Sequence, residues 1–385
     1  MKRYAVMGAG LMGRVVAKDL IETEPDTAVT LIDFNAALLE DAAAFIDNPR
    51  LSVERVDVGE TDRTAKVLEG CRAVVAALPH RRSMDGLTAA IAARAPIVDL
   101  VGSHPERRQQ LDGRAQDAGI LVVPGCGVAP GLSNVLVTRG VEMLDQVREA
   151  VIYVGGLPRL KAPPLEYQTV YSLESVFNSC VRPARIWRDG HEVIVEPLSG
   201  IELLQFPEPI GKLEAFYTDG LASLMLTMTD RITESLVEKT LRYPGFADRV
   251  RLLRDCGLLD TEPVHVGSVE IVPRDLLVRQ LAPMLELGPD GDLVVMRVTV
   301  KGSVDGAERS HTFDLVDYFD PLTSYTAMAR TTGFTGAAAA RMIGAGRIPQ
   351  TGVRFPEQVF VGSLGAEFLT ALGEHGIAIA HSEDG

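Results

Sequence analysis

The sequence predicts an α/β protein in two parts: a doubly wound Rossmann nucleotide-binding domain, then an α+β domain with a mostly antiparallel sheet. Two observations carry this. Up to residue 124, apolar runs alternate with amphipathic segments, and the runs are continuous, as strands covered on both faces by crossover helices require. After Gly131 the alternation gives way to strand candidates joined by turns.

A strand at 4–7 runs into Gly8-Ala9-Gly10-Leu11-Met12-Gly13 and an amphipathic helix, and the second strand, 28–32, ends at Asp33. Then follow a helix at 36–46, a strand at 52–58, a helix at 63–68, a strand at 73–78, a helix at 83–94, a strand at 96–100, a helix at 106–118 and a strand at 120–123. Beyond them a helix at 132–143 precedes strands at 149–154, 186–187, 192–195 and 293–300. The last of these is expected to pair with 309–316 across Val304-Asp305-Gly306. Helices are expected at 221–236 and 247–256, and a small-residue helix over 327–343 stops at Gly344-Ala345-Gly346. The expected domains are therefore 1–124, completed by 326–385, and 125–325.

Strand, glycine turn, helix and strand with an acidic end is how a chain builds a dinucleotide site. Gly8 permits the tight turn, Gly10 lets the backbone approach a pyrophosphate, and Gly13 lets the helix pack closely on the strand. Asp33, twenty residues beyond Gly13, is placed to accept hydrogen bonds from the adenosine ribose. Phe34-Asn35-Ala36 offers no arginine for a 2′-phosphate, so NAD is the expected cofactor. Its expected contacts are Gly8, Gly10, Leu11, Met12, Gly13, Asp33, Asp57 and Val58 at the end of the third strand, Leu78 and Pro79 at the end of the fourth, and Gly127.

Lys plus Arg number 38 against 52 Asp plus Glu, a net charge of −14, which disfavours nucleic acid or an anionic membrane as partner. Met1-Lys2-Arg3 runs directly into the first strand and no apolar run reaches the length of a membrane span, so no signal peptide and a cytoplasmic protein are expected. The four cysteines are widely spaced and the seven histidines lack ligand spacing, so no metal site is expected. A homodimer or homotetramer is expected, to cover the open sheet face of the second domain.

The stretches Val122-Val-Pro-Gly-Cys-Gly-Val-Ala-Pro-Gly-Leu-Ser-Asn134, Gly155-Gly-Leu-Pro158, Glu214-Ala-Phe-Tyr-Thr-Asp-Gly220 and Glu238-Lys-Thr-Leu-Arg-Tyr-Pro-Gly245 resemble the saccharopine dehydrogenase superfamily, most of all its branch containing NAD-dependent L-lysine 6-dehydrogenase. That resemblance implies oxidative deamination at the ε-carbon of lysine, with hydride passing to NAD and an imine hydrolysing to a semialdehyde that cyclises. Other members form or split secondary amines such as saccharopine or carboxylated polyamines. Where the family usually has a histidine after the last glycine, this chain has Phe246.

Such chemistry needs a base, a carboxylate anchor and exclusion of water. The candidate catalytic residues are Lys239, Asp99 and His80, the last able to move a proton near neutral pH or simply lie at the surface beside Arg81 and Arg82. Lys239 is either a desolvated base or, with Arg242, a basic pair on a helix end. Asp99 orients an amine or water, or caps a loop. Cys126 is expected to line the pocket, Tyr217 to form its wall, and Arg242 to fork onto a carboxylate, with Thr240 beside it. Asp219 is either a helix N-cap or an amine contact.

Overall fold

In the computed structural model, which describes residues 1–384, the continuous apolar strands come together as one buried parallel sheet. β1 (Lys2–Met7), β2 (Thr27–Asp33), β3 (Leu51–Arg55), β4 (Ala73–Ala76), β5 (Ile97–Asp99) and β6 (Leu121–Pro124) are joined at one edge by the short strand Gly352–Val353. Their order across the sheet is Gly352–Val353, β6, β5, β4, β1, β2, β3. The order reverses between β1 and β4, so the carboxyl ends at Met7 and Ala76 flank the crevice where doubly wound sheets take their ligands. Met7, Ile32, Leu68, Val74, Leu87, Ile97 and Val122 fill one core layer of this unit.

The unit comprises residues 1–143, 222–228 and 329–378. The sequence reading drew it as 1–124 completed by 326–385, without residues 125–143 and 222–228. The difference lies in the helix Leu132–Glu142, which buries Leu132 to Thr138 almost without interruption and therefore needs cover on every side. The helices Pro356–Val359 and Gly362–Glu374 supply part of it.

The second unit, residues 144–221, 229–328 and 379–384, is built on one mixed sheet. Its strands are β7 (Gln146–Pro158), β8 (Ala184–Arg188), β9 (His191–Val195), β10 (Glu202–Gln205), β11 (Lys212–Tyr217) and β12 (Ile232–Arg242). A separate hairpin, β13 (Val264–Val266) and β14 (Val269–Ile271), precedes β15 (Asp292–Val304) and β16 (Ala307–Tyr318), and the chain closes with the strand Ile379–Asp384. The path runs β10, β11, β12, β7, β15, β16, Ile379–Asp384, with β8 and β9 added on β12; β12 and β7 are parallel and the other pairs antiparallel. The β15–β16 hairpin turns at Asp305-Gly306, both at positive φ (51° and 77°), as a two-residue turn matching strand twist demands.

The helix expected over 221–236 is not there. A single turn, Leu224–Thr227, is followed by β12. Ile232-Thr233 and Val237 suit a pleated surface, and pairing with β7 and β8 outweighs the helical periodicity. Leu157, Phe206, Leu213, Ala215, Leu241, Tyr243 and Val295 form the apolar layer on one face of this sheet.

Candidate functional site

At the carboxyl end of β1 the glycines divide by what demands them. Gly8 has φ +102°, and a Cβ there would collide with the Ala77 carbonyl; a Cβ on Gly13 would collide with the Gly8 carbonyl. A Cβ on Gly10 would meet no protein atom within 4 Å. The fold itself requires glycine at 8 and 13, whereas the open space over Gly10 fits a pyrophosphate brought against the backbone. Gly10 caps the helix Leu11–Thr23, and Arg14 N–H is bonded back to Gly10 O at 3.1 Å. The N–H groups of Leu11, Met12 and Gly13 lie in the first turn, where a helix offers donors to an anion.

Asp33 ends β2 with its carboxylate held on both sides: Ala9 N–H donates to Oδ2 at 2.8 Å and Asn35 N–H to Oδ1 at 2.9 Å. Asn35 in turn caps the helix Ala36–Ile46. Each carboxylate oxygen keeps acceptor capacity for a ribose hydroxyl. The sheet also brings in a residue that the linear neighbourhood lacks: Arg55 lies in register with Asp33 and donates Nε–H to Phe34 O at 3.1 Å.

The remaining expected cofactor residues are less uniform. Asp57 lies beyond the end of β3 and turns its carboxylate to Arg82 and to Gly59 N–H at 2.9 Å. The Val58 side chain, 6% exposed, belongs to the core layer and not to a ligand surface. Leu78 packs beside Gly8 and Gly86, and Pro79 leads into the helix His80–Ala92. His80 is exposed, with Nδ1 3.0 Å from Ser103 Oγ. Gly127 N–H bonds Pro130 O at 3.0 Å, and Thr332 Cγ2 stands 3.2 Å from where its Cβ would be.

Asp99 is fully buried. Ser83 Oγ donates to its Oδ2 at 2.5 Å, Val101 N–H to its Oδ1 at 3.0 Å, and Arg108 lies 3.5 Å away. Burial pushes its pKa up, against the pull of Arg108 and of these donors. Cys126 is likewise fully buried, and burial together with the charge of Glu357 pushes its thiol up, so it stands as a neutral wall and not a thiolate. Glu357 itself, 2% exposed, was not foreseen: Asn134 Nδ2 donates to it at 3.0 Å and Thr227 Oγ1 at 2.7 Å, and Asn134 Nδ2 also donates to Ser223 Oγ at 3.2 Å.

In the second unit Lys239 and Arg242 lie on a strand, not on a helix end, and they point to opposite faces of it. Lys239 Nζ donates to Glu202 Oε1 at 2.6 Å and to Gly200 O at 2.8 Å, and rests 4.5 Å over the Tyr217 ring. Tyr217 is thus on the Lys239 side, its hydroxyl taking Arg188 Nη2 at 3.0 Å. Arg242 lies over the Tyr167 and Phe246 rings at 5.0 and 5.5 Å. On its face of β12 stand Thr240 and the residue that sequence reasoning missed, Glu238, 4% exposed and bonded to Thr218 Oγ1 at 2.7 Å. Burial, with Asp219 adding to it, pushes Glu238 up to about 8. Asp219 caps no helix; it pairs with Arg182 Nε at 3.1 Å and Arg185 Nε at 3.5 Å. The signal that marks Glu238 is the period-two spacing Glu238, Thr240, Arg242, visible only once the segment is taken as a strand.

A doubly wound sheet with a glycine turn at its switch point and a carboxylate at the end of β2 defines a dinucleotide-binding protein, and the nucleotide such a domain holds is a nicotinamide cofactor. Comparison with known proteins gives the family. Residues 127–377 match the saccharopine dehydrogenase C-terminal domain and residues 4–123 the saccharopine dehydrogenase NADP binding domain, so the chain belongs to the saccharopine dehydrogenase family. It is 24% identical over 299 residues to saccharopine dehydrogenase [NADP(+), L-glutamate-forming] of Saccharomyces cerevisiae, covering 73% of this chain and 64% of that enzyme. Carboxyaminopropylagmatine dehydrogenase of Synechocystis is 22% identical, covering 98% of this chain and 96% of that one. The solved apo structure of the yeast L-Glu-forming saccharopine dehydrogenase superposes with a TM-score of 0.81 at 20% identity, covering 100% of both chains, which shows the shared fold. Among the described residues no group of three or more His, Cys, Asp or Glu is placed to hold a metal, and no helix is long and apolar enough to cross a membrane.

Proposed function

We propose that the protein is an NAD-dependent dehydrogenase that oxidatively deaminates the ε-amine of L-lysine, yielding ammonia, NADH and a semialdehyde that cyclises to a piperideine carboxylate. The observation that carries the cofactor half is Asp33: a carboxylate held by two backbone N–H groups at the end of β2 receives ribose hydroxyls and repels a 2′-phosphate. The substrate half is supported by family membership and by the amino-acid-derived amines named in its relatives.

The chemistry a nicotinamide supplies is hydride acceptance at the carbon bearing nitrogen. The chain's own contribution is to bind, orient and keep out water. Gly10 and the first turn of the helix Leu11–Thr23 hold the phosphates, and Asp33 the ribose. Arg242 receives a carboxylate from its rigid stack on Tyr167 and Phe246. His80, exposed and hydrogen-bonded to Ser103, is the proton carrier we favour. Lys239, committed to Glu202 on the other face of β12, is assigned to structure.

A second reading has its own support. The matched nucleotide domain is described as NADP binding, and Arg55 stands beside the end of β2, so an NADP-dependent imine reductase that forms or splits a secondary amine is the rival. Initial rates with NAD and NADP on L-lysine, and on an amine plus α-keto acid in the reducing direction, separate the two. We further propose a homodimer or homotetramer acting in the cytoplasm; a monomer mass by light scattering would remove the assembly.

A further inference from the structure

Glu238 is a buried carboxyl for which, among the described residues, no cation forms an ion pair. What surrounds it is a pair of hydroxyls: Thr218 Oγ1 donates to Oε2 at 2.7 Å, and Thr240 Oγ1 lies 2.7 Å from Thr218 Oγ1. Gly220 lies against it so closely that a Cβ there would run into Oε2. Asp219 stands nearby, its charge matched by Arg182 and Arg185. At the other end of this strand face Arg242, also 4% exposed, donates Nη1–H to Leu241 O at 2.7 Å, while its buried Nε–H has no partner among the described residues. An unmet guanidinium N–H and an unpaired carboxyl, both taken out of water on one face of one strand, call for a ligand with complementary ends.

We propose that this face of β12 is a bipolar site for an ω-amino acid, with Arg242 receiving the carboxylate and Glu238, between Thr218 and Thr240, receiving the distal ammonium. Four residues of strand separate the two Cα atoms by about 13 Å, and a bound lysine, roughly 7 Å between its ends when extended, requires the two long side chains to reach toward one another. The inference rests on the amino-acid dehydrogenase reading above and narrows it to a free ω-amino acid.

The test is calorimetric binding to the full chain saturated with NADH, so that no hydride acceptor is present and nothing turns over. The ligands are L-lysine, 6-aminohexanoate, which keeps the carboxylate and distal ammonium, and L-norleucine, which lacks the distal ammonium. Glu238→Gln is expected to weaken L-lysine and 6-aminohexanoate at least tenfold and to leave L-norleucine within twofold. Gly220→Ala, which displaces the Glu238 carboxyl without removing it, is expected to give the same pattern. Unchanged L-lysine affinity in both variants overturns the proposal. So does an equal loss across all three ligands, the mark of general distortion, or no binding of any ligand to the parent. NADH formation from L-lysine by the parent, measured separately, tests the broader reading, and either can fail alone.

Discussion

Glu238 links the site to stability through its raised pKa. Its ordinary value of 4.5 is pushed up to about 8, chiefly by burial, with Asp219 adding to that and Thr218, Arg242 and Thr240 opposing it. Between those limits the folded chain holds a proton that the unfolded chain has released. Stability is therefore greatest below about pH 4.5 as far as this group is concerned, and falls as pH rises toward 8. Each pH unit is worth at most about 1.4 kcal/mol, so the three units from pH 5 to pH 8 amount to about 4 kcal/mol. Glu238→Gln keeps the shape and acceptor oxygen but cannot ionise. Urea unfolding of both proteins at pH 5, 6.5 and 8, read as the difference between them at each pH, cancels every other titrating group. The variant is expected to gain on the parent by about 4 kcal/mol between pH 5 and pH 8. A difference that does not change with pH would refute the reasoning, since Glu238 would then titrate alike folded and unfolded.

Three other outcomes follow from the same geometry. Gly13→Ala drives a methyl into the Gly8 carbonyl and should lower the melting temperature, whereas Gly10→Ala, with nothing within 4 Å, should leave it unchanged and weaken NAD binding; calorimetric melting with NAD titration checks both. Asp33→Ser removes the carboxylate, and a loss of roughly tenfold to a hundredfold in NAD affinity is expected, as for a lost hydrogen bond to a charged group, with NADP affected less. Lys239→Met cuts the pair with Glu202 and should cost about 1–2 kcal/mol in stability while kcat stays within tenfold, by urea unfolding and initial rates.

Much of the first unit was legible because its signals are local. Buried parallel strands are unbroken apolar runs, and the glycine turn and Asp33 sit in one short stretch of chain. What could not be seen is what depends on pairing. Arg55 reaches Asp33 only because β3 lies beside β2. The start of β12 was taken for the end of a helix because its apolar residues fit both periods until β7 and β8 pair with it, and that reading made Lys239 and Arg242 a basic pair on a helix end when they lie on opposite faces of a strand. Glu238 was quoted in a motif and passed over for the same reason. The first segment of the nucleotide unit, drawn to 124 and completed by 326–385, runs on through the helix Leu132–Glu142, which owes its place to packing partners more than 200 residues away in the chain.

The most direct measurement of the central claim mixes the purified protein with NAD and L-lysine and follows absorbance of NADH. Steady NADH formation that requires L-lysine, fails with L-norleucine and runs faster with NAD than with NADP is the expected result. No NADH from L-lysine, together with NADPH consumption when an α-keto acid and an amine are supplied, would contradict the assignment and make the protein an imine-reducing member of its family.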